Sequence, residues 1–333
     1  MVRFKKLIIC LLMLVIICSC SKTKPKEHNL EGDVFGTRFH ITYLNVDTTN
    51  YSFQIDSLFQ QINKSLSTYD AGSDISKINK GDFSVRVDPY FEEVFSKAQR
   101  IYEETEGLFD PTIGILVNAW GFGPEKEFEV VSNEKIKELL VLVGYNKVKL
   151  ENGKVLMKHP GMFLDYNAIA KGYGVDIVAR YLETKSIKNY LVEIGGEVRV
   201  RGKNAENKFW RIGIEKPNFD GTRSLQQVVQ LKNESMATSG NYRKFKIDVT
   251  TNEKYVHTID TKTGYTAKRD LLSASVISSI DCADVDGYAT AFMAMGFKQT
   301  KIFIKEHPEL KVFLIYLDIN GDTKTYSNFI LSD

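Results

Sequence analysis

The feature that most limits the fold is a train of strand-like segments in the second half of the chain. Tyr190–Ile194, Glu197–Arg201, Trp210–Ile214 and Gln226–Leu231 are short runs separated by turn residues. Side chains that alternate with a period of two stand on opposite faces of a sheet. Asn320-Gly321, between Phe313–Asp318 and Thr323–Phe329, is a strong hairpin signal. Strands that follow one another, without strict alternation with helices, predict an α+β fold with a mostly antiparallel sheet packed with helices.

The first half supplies the helices. Thr37–Val46 alternates like a strand, and Ile55–Leu66 has apolar residues at helical spacing. Asp88-Pro89 opens a helix that runs to about Glu106, with Asp88 as cap, Pro89 in the first turn and Gly107 as stop. Ser132–Val143 reads as another helix. Ile169–Leu182 is amphipathic and follows a strand-like Met162–Leu164. No Pro/Ser/Gly-rich linker interrupts the chain after residue 30, so residues 31–333 are expected to form one compact, two-lobed unit.

The N-terminus reads as an address. Arg3, Lys5 and Lys6 precede an apolar run, Leu7 to Ile17, too short to span a bilayer but suited to a signal peptide over residues 1–19. The run ends in Ile17-Cys18-Ser19-Cys20, which resembles a bacterial lipobox with Cys20 as the lipidated residue. Residues 20–30 then read as a polar tether containing Pro25. Cys282 is the one cysteine beyond this region, so no disulfide framework is expected, and its apolar surroundings suggest a buried thiol. With 44 Lys+Arg against 42 Asp+Glu, a net charge of +2 argues against a nucleic-acid partner.

Three polar segments sit within otherwise apolar sequence. Asp165 to Gly174 joins an extended segment to a helix, where free backbone groups cluster; Asp165 either caps that helix or faces a ligand, and Lys171 is either solvated or at the same mouth. In Asp284 to Thr290, a helix would place Asp286 and Thr290 on one face. A carboxylate with a hydroxyl suits Mg²⁺, which takes hard oxygen ligands and completes its shell with water and phosphate; the alternative is a helix cap with Thr290 packed. His257 precedes a Thr/Gly turn and could act as acid or base, although a lone histidine is more often structural. His28, His40, His159 and His307 read as structural or surface residues.

In order, the chain carries Gly36-Thr37, Ser67-Thr68-Tyr69, Gly107-Leu108-Phe109-Asp110-Pro111-Thr112 and Trp120-Gly121-Phe122-Gly123-Pro124. There follow Asn167-Ala168-Ile169-Ala170-Lys171-Gly172-Tyr173, Glu193-Ile194-Gly195-Gly196-Glu197 and Ala237-Thr238-Ser239-Gly240. His257-Thr258-Ile259-Asp260 and Asp286-Gly287-Tyr288-Ala289-Thr290 complete the series. Taken together, residues 34–333 resemble the FAD:protein FMN transferases, the ApbE family.

The resemblance implies an Mg²⁺-dependent enzyme that takes FAD as substrate, attaches its FMN moiety through a phosphoester to a threonine hydroxyl of a target protein, and releases AMP. It implies targets among flavin-carrying subunits of membrane redox complexes. With the leader, it implies a lipid-anchored protein of the bacterial cell envelope, at the periplasmic face of the inner membrane. Tyr69, Leu108, Phe109, Asp110, Asp165, Lys171 and Ile259 match family FAD-contact positions, and Phe35 stands where many members have Met. Asp286 and Thr290 match side-chain metal positions, Ala168 a main-chain carbonyl ligand, and His257 the histidine discussed for catalysis; Ala289 stands where some members place a second Asp. The rival functions are an FAD pyrophosphatase and a non-catalytic flavin-binding lipoprotein.

Overall fold

One antiparallel sheet of eight strands runs through the chain, from its first described strand to its last. The computed structural model describes residues 24–123, 130–218, 220, 222–241, 245–247 and 254–331. The expected signal peptide, Cys20 and Pro124 lie outside these residues. In chain order the elements are β1 (Lys26–Val34), β2 (Thr37–Asn45), α1 (Ser52–Leu66), α2 (Asp74–Asn79), α3 (Pro89–Glu104), α4 (Gly114–Ala119) and α5 (Asn133–Leu140). They continue with β3 (Val148–Glu151), β4 (Lys154–Met157), α6 (Ala170–Thr184), β5 (Tyr190–Ile194), β6 (Glu197–Arg201), β7 (Trp210–Glu215) and β8 (Leu225–Leu231). The last are β9 (Ser235–Gly240), β10 (Phe245–Ile247), β11 (Lys254–Val256), β12 (Leu271–Ser278), α7 (Cys282–Met295), α8 (Phe297–Glu306), β13 (Lys311–Leu317) and β14 (Thr323–Ser327).

The sheet has the order β1-β2-β5-β6-β9-β12-β13-β14, and β3–β4, β7–β8 and β10–β11 form separate two-stranded ribbons. This is the α+β, antiparallel architecture expected from the strand train. Both faces of the sheet are covered. Val312 and Leu314 of β13 join the main core with the helices, whereas Phe313 and Ile315 join a second cluster beneath the β7–β8 ribbon, with Trp210 and Leu231. A third cluster gathers α4, α5, Tyr255 and Ile259 around Trp120. Two of these clusters lie on the sheet, and the third packs apart from its strands.

Local sequence accounts for the helix starts. The Asp88 side chain accepts from the Phe91 N–H, Ser132 does the same for Lys135, and Pro89 occupies the first turn. Two-residue turns with positive φ at both positions join β1 to β2 (Phe35 φ 51°, Gly36 φ 72°) and β5 to β6 (Gly195 φ 64°, Gly196 φ 107°). That is the twist a tight hairpin needs.

Two expectations are corrected. Strand β1 begins at Lys26, inside the stretch read as a tether, and pairs with β2 from Lys26↔Asn45 onward. His28 stacks on Tyr43 at 4.8 Å, so this polar segment is held by its neighbour strand and not by its own hydrophobicity. Met162–Leu164 is not a strand. Its backbone bonds go to a side chain: Asn79 Nδ2 donates to the Leu164 carbonyl (2.8 Å) and Asn79 Oδ1 accepts from the Leu164 N–H (2.7 Å). Leu164 is fully buried, so Asn79→Ala would strand two backbone groups. The variant is expected to lose roughly 2 kcal/mol of stability in a denaturant melt. A loss within 0.5 kcal/mol, the usual range for a neutral surface change, would mean that this bridge does not hold the segment.

Candidate active site

A cleft of about 1240 Å³ opens where the three apolar clusters meet. Tyr69, Leu108, Phe109, Asp110, Asp165, Ala168, Lys171, His257, Ile259, Asp286 and Thr290 all lie on its wall, although they come from segments spread over more than two hundred positions. Phe35 is the exception. Its ring packs edge-on against Phe59 at 5.7 Å and over Gly174, where an added Cβ would come within 2.6 Å of it. The positive φ of the turn directs Phe35 into the core next to α6, away from the cleft wall.

Two helix starts form the polar floor. The first N–H groups of an α-helix lack partners within the helix. Neither Ile169 nor Asp281, the residues preceding α6 and α7, supplies a side-chain cap. Each helix is instead capped by the other. Asp286 of α7 accepts from the Gly172 N–H of α6 (3.1 Å), while Asp176 of α6 accepts from the Cys282 and Ala283 N–H groups of α7 (2.9 and 2.8 Å). The contact is close: a Cβ on Gly172 would lie 2.4 Å from the Cys282 carbonyl oxygen. Asp281 is occupied by Lys97 (2.9 Å), Arg180 (2.6 Å) and Arg199 (2.6 Å), which hold its carboxyl below the ordinary range against the effect of burial.

Asp286 is 2% exposed, and Thr290 lies one helical turn on with its hydroxyl 3.1 Å from Ser239 Oγ on β9. Lys171 Nζ sits 2.8 Å from Glu197 Oε1 and 4.0 Å from Asp286 Oδ2. Burial pushes both carboxyl groups up, with the lysine opposing; Glu197 reaches about 7, helped by the nearby Asp286. The Lys171 ammonium is disfavoured by burial, but the two carboxylates more than offset this and raise its pKa. Among the described residues no three His, Cys, Asp or Glu side chains cluster as a metal centre. The buried Asp286 carboxylate and the Thr290 hydroxyl, with Ala168 on the same wall, offer a small set of hard-oxygen donors. That set fits Mg²⁺, which needs only one or two carboxylates when water and substrate phosphates complete its shell.

The other side is more apolar. Leu108 and Phe109 are buried, Tyr69 is 65% exposed, and Asp110 caps the short turn Pro111–Ile113. The Asp110 carboxylate accepts from the Thr112 N–H (2.8 Å) and hydroxyl (2.6 Å), yet burial pushes it up to about 6. A carboxyl raised in the fold binds an extra proton there between its unfolded and folded pKa values. Its contribution to stability is therefore complete below about pH 4 and is lost as pH rises through 6. The stability of wild type minus that of Asp110→Asn is expected to fall by roughly 2–3 kcal/mol from pH 4 to pH 7, measured by urea melts; a flat difference would refute the shift. Asp165 does not cap α6 but accepts from the Asn167 N–H (2.8 Å). His257 follows β11, edge-on to Phe122 at 6.5 Å, and the adjacent Thr258 hydroxyl donates to Asn241 (2.7 Å).

Glu197 and His40 are wall residues that were not among the candidates. Glu197 follows the Gly195-Gly196 turn, and a glycine pair ahead of a strand-starting glutamate was the available signal. His40, read as a structural or surface residue, is on the wall with Nδ1 2.7 Å from Glu193 Oε2; nothing in the sequence near it marks that position.

Known proteins resemble the chain in both sequence and fold. The ApbE family profile matches residues 35–314. An FAD:protein FMN transferase of Haemophilus influenzae is 36% identical over 97% of this chain and 96% of its own, and one of Vibrio cholerae is 35% identical over 94% of each. Among solved structures, the flavin transferase ApbE from Vibrio cholerae superposes with a TM-score of 0.81 at 33% identity, covering 91% of this chain and 97% of that one. The apo form of Pseudomonas stutzeri flavinyl transferase ApbE gives 0.80 at 26% identity over 92% and 96%. With sequence similarity and fold both extending over most of its length, the chain belongs to the ApbE family.

Proposed function

We propose that the chain is an FAD:protein FMN transferase, which moves the FMN moiety of FAD to a threonine hydroxyl of a target protein and releases AMP. One observation carries this: a single cleft joins an apolar wall for the rings of FAD to a floor of Asp286, Thr290 and Lys171 for its pyrophosphate. Mg²⁺ held by Asp286, Thr290 and the Ala168 carbonyl would supply charge compensation for that pyrophosphate. Lys171, fixed by Glu197, adds a positive charge at the same end. Tyr69 offers an exposed ring for stacking, and Leu108, Phe109 and Ile259 exclude water from the deeper wall. His257 accepts the threonine proton as the threonine oxygen bonds to the FMN phosphorus and the bond from that phosphorus to the AMP oxygen breaks.

The leader supports an envelope location, with Cys20 lipidated and the domain held at the periplasmic face of the membrane near flavin-carrying redox complexes. The decisive assay mixes the protein with FAD, Mg²⁺ and a threonine-bearing target domain. Covalent flavin fluorescence on the target, lost with a chelator, is expected. Free FMN and AMP with an unlabelled target would make the protein a pyrophosphatase instead, and no flavin binding at all would end the proposal.

A further inference from the structure

Among the described residues two buried side-chain polar atoms lack a hydrogen-bond partner: Ser273 Oγ in the sheet, and Glu197 Oε2 on the cleft wall. The second is the costlier. Glu197 is 3% exposed, and an ionised carboxylate can only accept hydrogen bonds. Its other oxygen is taken by Lys171. A buried acceptor without a donor carries a desolvation penalty, which the Lys171 charge offsets only in part. The Gly195-Gly196 turn fixes the glutamate at the start of β6, so the missing donor has to arrive from the cleft.

The chemistry of the neighbours narrows what that donor is. Phosphate oxygens are acceptors and carry negative charge, so they are repelled from Glu197. Lys171 spans Glu197 and Asp286, which places the orphan oxygen beside the pyrophosphate end of the site and not at its aromatic end. The donors of FAD that flank its pyrophosphate are sugar hydroxyls. We propose that Glu197 Oε2 is a binding site for a hydroxyl of the FAD chain next to the pyrophosphate, on the ribityl or the ribose side. This rests on FAD being the substrate, as proposed above.

The test is Glu197→Gln, which keeps an acceptor for Lys171 while replacing the orphan oxygen by an amide. Flavin fluorescence titration at pH 8, where the glutamate is ionised, should show the FAD dissociation constant rising roughly 10- to 100-fold, the scale of a lost hydrogen bond to a charged group. The ligand-free melting temperature should stay level or rise, because a buried charge short of a donor has been removed. Titration with FMN and with ADP assigns the hydroxyl: the fragment whose affinity falls by the same factor carries it. An FAD constant within twofold of wild type overturns the proposal, including the case where only the KM for the acceptor protein rises. So does a fall in melting temperature with equal losses for FMN and ADP, the mark of a structural role. Wild type that fails to bind FAD removes the underlying proposal of function and this one with it.

Discussion

Asp286→Ala is expected to lower FMN transfer by about 10³-fold or more, the scale on which loss of one charge-organising group at a reacting phosphate is felt. Its carboxylate serves two neighbours, the Gly172 N–H and the Lys171 ammonium. The structural cost should be modest. Losing a helix cap amounts to about 1 kcal/mol, and Lys171 keeps Glu197. Asp286→Asn separates the two functions: an amide oxygen can still accept from Gly172, so the fold should be nearly as stable as wild type while transfer is still lost. Assays at saturating FAD with and without Mg²⁺, beside thermal melts, read both. Near-normal transfer by the Asn variant in the presence of a chelator would sink the assignment of Asp286 to the metal.

His257→Ala should lower the transfer rate by roughly 10²–10⁴-fold, the range for losing a general base, with a much smaller change in the FAD dissociation constant. Threonine hydroxyls are poor nucleophiles at neutral pH, and a histidine titrates in the range where a base is most useful. The fold presents this ring on the cleft wall, backed by Phe122 and anchored through Thr258 and Asn241, whereas Lys171 and Asp286 lie together at the end proposed for the pyrophosphate. Single-turnover transfer and FAD titration of the same variant discriminate between roles. If FAD affinity collapses while transfer at saturating FAD stays near wild type, His257 is a binding residue and the catalytic role is wrong.

Much of this was legible in the sequence wherever the signal was local. Asp88-Pro89 marks a helix start because both the cap and the missing N–H are properties of those two residues. Asn320-Gly321 marks a hairpin, although the turn there spans five residues, since Leu317 pairs with Thr323. The same dipeptide at Asn152-Gly153 makes the tight two-residue turn between β3 and β4, whose strands are only four residues long and carry a weak signal of their own. What stayed hidden depended on distant partners. Met162–Leu164 has the composition of a strand, but Asn79, far earlier in the chain, takes its hydrogen bonds. Glu197 reads as one more charged residue in a strand until the fold buries it beside Lys171. The motif residues line one cleft although they are far apart in the chain, which periodicity alone does not predict, and Phe35 packs in the core instead.

The crossed caps of α6 and α7 bear on how the protein reaches its working state. The bonds from Gly172 to Asp286 and from Cys282 to Asp176 join residues 114 and 106 positions apart. Neither helix start can be completed by its own neighbours, and strands β5, β6, β9 and β12 all lie between the two helices in the chain. Contacts of such long sequence separation form only after a large loop entropy has been overcome, so they belong to the late, cooperative part of folding. A half-folded chain therefore has no half-built cleft. The carboxylate proposed to hold the metal acquires its surroundings only when the strands between the two helices have brought them together, and a molecule trapped short of that point cannot spend FAD on a misplaced attack.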